Sequence, residues 1–193
     1  MESEIFFSGI GGQGVQLAAK TLALAAIAEG RDVIVFGTYG GSMRGGNTDS
    51  TIVIGDGPLI TPPIIDSAGA LLLMHHYSWA ELKPKMRPGA IVVVDTSVFR
   101  GDLDFGDGVV VPIDATARAT SLGIQRSASM LALGAFAAFT NIVTVESLLA
   151  AARNVLPSYR SQHVAANEIA IRAGYDMIVE RLASGVCFEG TSR

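Results

Sequence analysis

The stretch Ile5-Phe6-Phe7-Ser8-Gly9-Ile10-Gly11-Gly12-Gln13-Gly14-Val15 decides how this chain folds. An apolar run over 5–10 reads as a strand, four glycines read as a turn, and a long apolar segment from about Val15 to Glu29 reads as a helix closed by Gly30. Gly9, Gly11 and Gly14 stand at Gly-x-Gly-x-x-Gly spacing, between the strand and the helix that this motif requires. Glycines let the backbone turn tightly and approach a neighbour or ligand closely, and the helix start offers unpaired N–H groups to an anion. The chain therefore opens with a Rossmann-like unit. Gly9, Gly11, Gly12 and Gly14 either cradle a phosphate or permit close helix–strand packing, and Gln13 is placed to donate to a ligand or an adjacent chain.

Outward from this unit, strands are expected at Val33–Phe36, Ser50–Ile54, Ala70–Met74, Ala90–Asp95 and Val109–Ile113. A glycine-rich loop spans 37–47, and a short helix, about Tyr77 to Lys83, precedes Pro84. Ala70–Met74 and Ala90–Asp95 are continuous apolar runs, as expected of strands buried on both faces. Arg87-Pro88-Gly89 reads as a turn into the latter. Helices follow at about Ser127–Phe139, Val145–Leu156 and Ser161–Leu182, the last with Val164, Ile171, Tyr175, Ile178 and Leu182 on one apolar face. Strands alternating with helices, then helices alone, predict a three-layer Rossmann-like α/β fold with a mostly parallel sheet and a helical C-terminal part. At 193 residues, one domain over 1–193 is expected.

Apolar residues make up 49% of the chain and charged residues 17%, so part of the surface is expected to be covered by other subunits. No apolar run reaches transmembrane length without polar interruption, which argues against membrane insertion. The net charge of −4, with no Lys/Arg cluster along the sequence, argues against nucleic acid. Met1-Glu2-Ser3-Glu4 lacks the features of a signal peptide, and a cytoplasmic chain is expected. The single cysteine, Cys187, excludes an internal disulfide and a self-contained cysteine-ligated iron–sulfur cluster, which takes about four thiolates.

A stand-alone nicotinamide dehydrogenase would carry an acidic residue at the end of the second strand, about 20 residues past the glycines. That strand ends Val35-Phe36-Gly37-Thr38, and Asp32 precedes it at the wrong end of the sheet. The dinucleotide reading is therefore disfavoured. Other candidates have plain explanations. His75 and His76 end a strand, so they are expected on opposite sides with no third metal ligand nearby. His163 is a lone histidine, expected at a surface or interface. Asp95 is expected to cap the Thr96-Ser97 turn. Ser127 and Ser129 lack a Gly-x-Ser-x-Gly context.

Four features together resemble the gamma subunit of the 2-oxoacid:acceptor (ferredoxin) oxidoreductases. They are the Gly9–Gly14 turn, Tyr39-Gly40 followed by Met43-Arg44-Gly45-Gly46 and a strand, the Lys83-Pro84 to Asp95 region, and Asn167–Gly174. In their order they cover about residues 4 to 180. Two positions depart from the family pattern: Gly41-Ser42 stands where relatives often carry Pro-Glu, and Ser129 lies near a common asparagine. The resemblance implies a hetero-oligomeric complex converting a 2-oxoacid and coenzyme A to acyl-CoA, carbon dioxide and reduced acceptor. It implies thiamine diphosphate, Mg²⁺ and 4Fe–4S clusters in partner chains, namely alpha and beta catalytic subunits and a ferredoxin-like subunit. This chain is then expected to scaffold them, with no catalytic residue and no metal site of its own. Its candidate contacts to coenzyme A are Gly9, Gly11, Gly12, Gln13, Gly14, Tyr39, Arg44, Gly45 and Gly46. Arg44 either meets an anion or pins its loop at a subunit interface. Tyr39 either stacks on a ligand or caps the loop. A purely structural subunit with no ligand is the alternative.

Overall fold

The computed structural model describes residues 1–39, 46–100, 104–186 and 188, with Tyr39 described by its backbone. Six strands form one sheet: β1 (Glu2–Ile10), β2 (Asp32–Tyr39), β3 (Asn47–Gly55), β4 (Ala68–Leu73), β5 (Met86–Asp95) and β6 (Val109–Ile113). The helices are α1 (Val15–Ala28), α2 (Trp79–Leu82), α3 (Ala115–Ser121), α4 (Ala128–Thr140), α5 (Val145–Asn154) and α6 (Val164–Ala183). The strand order is β2-β3-β1-β4-β5-β6. β1, β4, β5 and β6 pair in parallel, whereas β3 runs antiparallel to both β1 and β2. The mostly parallel α/β sheet expected from the sequence is present.

The reversed strand has a simple cause. Residues 40–46 link β2 to β3, and a parallel return needs a crossover of a dozen or more residues. β3 therefore folds back as a hairpin partner and lies between β2 and β1. In a dinucleotide-binding unit β2 would lie directly beside β1. Here its carboxyl end is a strand further away, an independent reason that the nicotinamide reading fails.

The central strands are buried on both faces. Ile5, Phe7, Ile52, Ile54, Leu72 and Val93 enter the core beneath α1, α3, α4, α5 and α6. Their alternating neighbours Phe6, Val53, Leu71, Leu73, Val92 and Val94 enter a second core on the opposite face. That second layer is thin: α2, a 3-10 turn and connecting loops, filled by Trp79, Phe99 and Phe105, with the Trp79 and Phe105 rings 4.7 Å apart. Among the described residues no helix is long and apolar enough to cross a membrane.

Three expectations need correction. Arg87-Pro88-Gly89 does not precede β5 but lies within it, where the pairing register with β4 shifts between Ala68 and Ala70 and Gly89 takes φ +71°. α3 was not foreseen; its sequence, Ala-Thr-Ala-Arg-Ala-Thr-Ser, has little apolar periodicity to read. The inner face of α6 is Asn167, Ala170, Ile171, Gly174, Met177 and Ile178, while Val164 and Tyr175 are half-buried and Leu182 is exposed. Small residues take that face because α4 and α6 meet backbone to backbone. A Cβ on Gly134 would fall on the carbonyl oxygen of Ile171, and one on Gly174 on that of Leu131.

Candidate functional site

After β1 the chain crosses through α1 to β2 on one side, and after β4 it continues to β5 on the other. The carboxyl ends of β1 and β4 therefore flank the topological switch point, where open α/β sheets bind ligands. The glycine turn lies at this crevice. Gln13 fixes it there: its Oε1 accepts from the Ile10 N–H at 2.8 Å and its Nε2 donates to the Met74 carbonyl at 3.0 Å. A Cβ on Gly9 would stand 2.6 Å from that Oε1, so Gly9 serves the same brace. Gln13 and Gly9 thus build the turn, with the Gln13 side chain engaged at both ends by backbone. The Gly11 N–H donates to the Gly46 carbonyl at 2.9 Å, which brings the two glycine motifs of the sequence together. The start of β3 is tied in by Gln16, whose amide donates to the Asp49 carbonyl at 2.8 Å.

Gly12 and Gly14 hold φ of +99° and +89°, in the left-handed region that side chains disfavour. They differ in surroundings. A Cβ on Gly14 would lie 2.5 Å from the Ser129 hydroxyl, whereas one on Gly12 would meet nothing within 4 Å. Gly14 is the cap residue of α1, and among the described residues no side chain bonds the first-turn N–H groups there. The first N–H groups of a helix have no partner within it. Gly11, Gly12, Gly14 and Val15, around this helix start, line a cavity of about 590 Å³. Arg126, Ser127, Arg160, His163 and Asn167 line it as well.

This wall is the part the sequence did not announce. Arg126 lies in the 3-10 turn before α4, and Arg160 and His163 in the 3-10 turn Ser158–His163 before α6. Among the described residues neither arginine forms an ion pair; Arg160 sits over the Tyr159 ring, 5.5 Å from its centroid. Folding thus assembles a cationic wall that is invisible as a run of charge. His163, expected at a surface or interface, is half-buried and lines this cavity. Arg44 and Gly45 lie outside the described residues, as does the Tyr39 side chain.

Asp95 is 2% exposed and fully occupied. It accepts from the Ser97 N–H and hydroxyl at 3.1 and 2.7 Å, and from the Thr116 N–H and hydroxyl at 3.0 and 2.5 Å. It caps its own turn, as expected, and the first turn of α3 besides. The histidine pair departs from expectation. β4 ends at Leu73, so strand alternation does not govern His75 and His76, and their rings stack with centroids 4.2 Å apart. Burial, followed by the neighbouring His76, pushes the His75 pKa down. Among the described residues no group of three His, Cys, Asp or Glu could hold a metal ion. With one cysteine in the chain, a cysteine-ligated cluster does not fit here.

The profile of the family described as pyruvate ferredoxin/flavodoxin oxidoreductase matches residues 4–177. The chain belongs to this family. Within the family it is similar to the 2-oxoglutarate synthase subunit KorC of Methanocaldococcus jannaschii, with 30% identity over 183 residues, 93% of this chain and 96% of that one. The gamma subunit of a keto/oxoacid ferredoxin oxidoreductase from Geobacter sulfurreducens has the same fold, with a TM-score of 0.79 and 27% identity over 93% of this chain and 98% of that one. The 2-oxoglutarate:ferredoxin oxidoreductase of Magnetococcus marinus contains the fold within a longer chain: TM-score 0.83, 20% identity, 93% of this chain but 31% of that one. The chain is a gamma-type subunit of a multi-subunit 2-oxoacid:ferredoxin oxidoreductase.

Proposed function

We propose that this gamma subunit holds the phosphates of coenzyme A in the cavity at the start of α1, while scaffolding the chains that carry out the redox chemistry. One observation carries the reading. A helix start with no side-chain cap among the described residues lines a cavity of about 590 Å³ whose lining also includes Arg126 and Arg160, in a chain of net charge −4. Unpaired helix N–H groups and guanidinium forks both favour phosphate. Coenzyme A is named, with 2-oxoglutarate and succinyl-CoA, among the molecules bound in the Magnetococcus marinus enzyme that contains this fold.

In this reading Gly11, Gly12 and Gly14 present backbone to the ligand, Gly9 and Gln13 hold the turn in place, and residues 1–193 act as one unit in the cytoplasm. Thiamine diphosphate, Mg²⁺ and the iron–sulfur clusters belong to alpha, beta and ferredoxin-like partners: the described residues hold no group of metal ligands, and the chain has one cysteine. The isolated chain is then inactive. Mild affinity purification from native extract tests the assembly: thiamine diphosphate, iron and 2-oxoacid-dependent viologen reduction should accompany the chain. A clean monomer would overturn the scaffold role. For the cavity, Arg126→Ala combined with Arg160→Ala in the purified complex should raise the KM for coenzyme A at least tenfold, the loss of about 1.4 kcal/mol or more expected for charge-assisted phosphate contacts. An unchanged KM would leave a structural subunit with no ligand.

A further inference from the structure

We infer that the outer face of α6 is a seam for a second copy of this chain, with the two α6 helices packed antiparallel about Gly174. Ala165, Ile169, Arg172, Asp176, Val179 and Ala183 share this face, and all six are exposed. Their spacing alternates between four residues and three, the 3.5-residue repeat of a coiled-coil seam. The opposite face of α6 packs against α4 through Gly174 and Gly134.

The order of side chains along the stripe selects its occupant. From either end it runs small, apolar, charged, and the two central charges are opposite. In an antiparallel pair centred on Gly174, Arg172 meets the partner's Asp176, Ile169 meets the partner's Val179, and Ala165 meets the partner's Ala183. The two-fold axis repeats each contact, so a pair of ion pairs is flanked on both sides by apolar contact. A helix from a different subunit would need complementarity to this stripe but would impose no such symmetry on it.

The charges are free for this use. Arg172 and Asp176 stand four residues apart, a spacing at which helix charges can pair, yet among the described residues neither forms an ion pair. They also fix direction, because a parallel pair in register would oppose like charges at both positions. Ile169 is 52% exposed and Val179 44%, and the pairing covers both. Beside the seam, exposed Leu182 covers the partner's Ala166. Glu180 faces the partner's Glu168, whose charge is met by Arg153 at 2.5 Å. One 20-residue helix makes a short seam, so the association is reversible and weak.

Sedimentation velocity of the full chain from about 1 to about 300 μM should show a monomer–dimer equilibrium. Arg172→Asp makes all four central charges acidic, and Asp176→Arg makes all four basic. Each variant alone should raise the dimer Kd more than about tenfold, since like charges are then opposed across the interface. Mixed in equal amounts, the two variants should form a heterodimer within about threefold of wild-type strength, because both ion pairs are remade. Both positions are exposed, and circular dichroism checks that the fold is kept. A wild-type chain that stays monomeric throughout overturns the proposal. So does a dimer that neither variant weakens, and so does a mixture of the two that fails to associate.

Discussion

The starts of α1 and α5 are made from opposite materials. At α5, Thr144 caps the helix by accepting from the Ser147 N–H, and Glu146 lies in the first turn. Glu29, at the end of α1, accepts from both the N–H and the hydroxyl of Thr144 at 2.8 Å. At α1 the cap residue is Gly14, no side chain among the described residues bonds the first turn, and no acidic residue lies in it. Both helices have the same intrinsic demand for acceptors at their starts. One is met from inside the protein and the other is left facing a cationic cavity. In the reading proposed above the open start receives a ligand, whereas the filled one holds the fold together.

Gly14→Ala breaks the comparison most severely. The new Cβ lands on the Ser129 hydroxyl while the backbone stays in the left-handed region. Left-handed strain of about 1–2 kcal/mol and overpacking of about 1–3 kcal/mol together lower stability by about 3 kcal/mol. Urea unfolding of the isolated chain measures this. Adding Ser129→Gly should restore the steric part and not the strain, so a complete rescue would show that φ at Gly14 costs nothing. Thr144→Ala is smaller. It removes the cap of α5 and one of Glu29's two donors, for a loss of about 1 kcal/mol with no effect on coenzyme A KM. If the capped start affected the KM as strongly as the open one, the distinction between the two would be lost.

The same contrast shows what was legible in the sequence. Gly9 to Gly14 could be read as a turn between strand and helix because the motif is local. β5 and α4 were legible because their apolar runs are continuous. The hairpin return of β3 was not legible: strands read at Val33–Phe36 and Ser50–Ile54 leave 13 residues between them, and only the longer strands of the fold shorten the link to residues 40–46. The inner face of α6 is hard to read because apolar periodicity favours large residues, while the close contact to α4 is made at Gly174. The cationic wall had no local signature. Arg126, Arg160, His163 and Asn167 are scattered over two connecting turns and a helix, and only the packing of α4 against α6 brings them to the start of α1.

The smallest prediction concerns pH at the filled start. Burial would by itself raise the Glu29 carboxyl, but the Thr144 N–H and hydroxyl, the Ser147 hydroxyl and the charge of Arg31 outweigh it and hold the group below its ordinary value of 4.5. A folded pKa below the unfolded one means that ionised Glu29 contributes stability above the unfolded pKa, and that this share is lost as pH falls through the folded pKa. Glu29→Gln keeps the shape and one acceptor oxygen but cannot titrate. The urea midpoint of the wild type should therefore exceed that of Glu29→Gln at pH 7, by a few tenths of a kcal/mol because the side chain is exposed. The gap should shrink as the solution is brought below about pH 4.5. The other carboxyl groups are common to both proteins, so their titration leaves the gap unaffected. A gap that stayed constant with pH would mean that Thr144 is held by shape rather than by charge. A gap that widened on acidification would reverse the sign of the Glu29 contribution. The open start offers no equivalent titration from within the chain, since its first turn has no carboxylate.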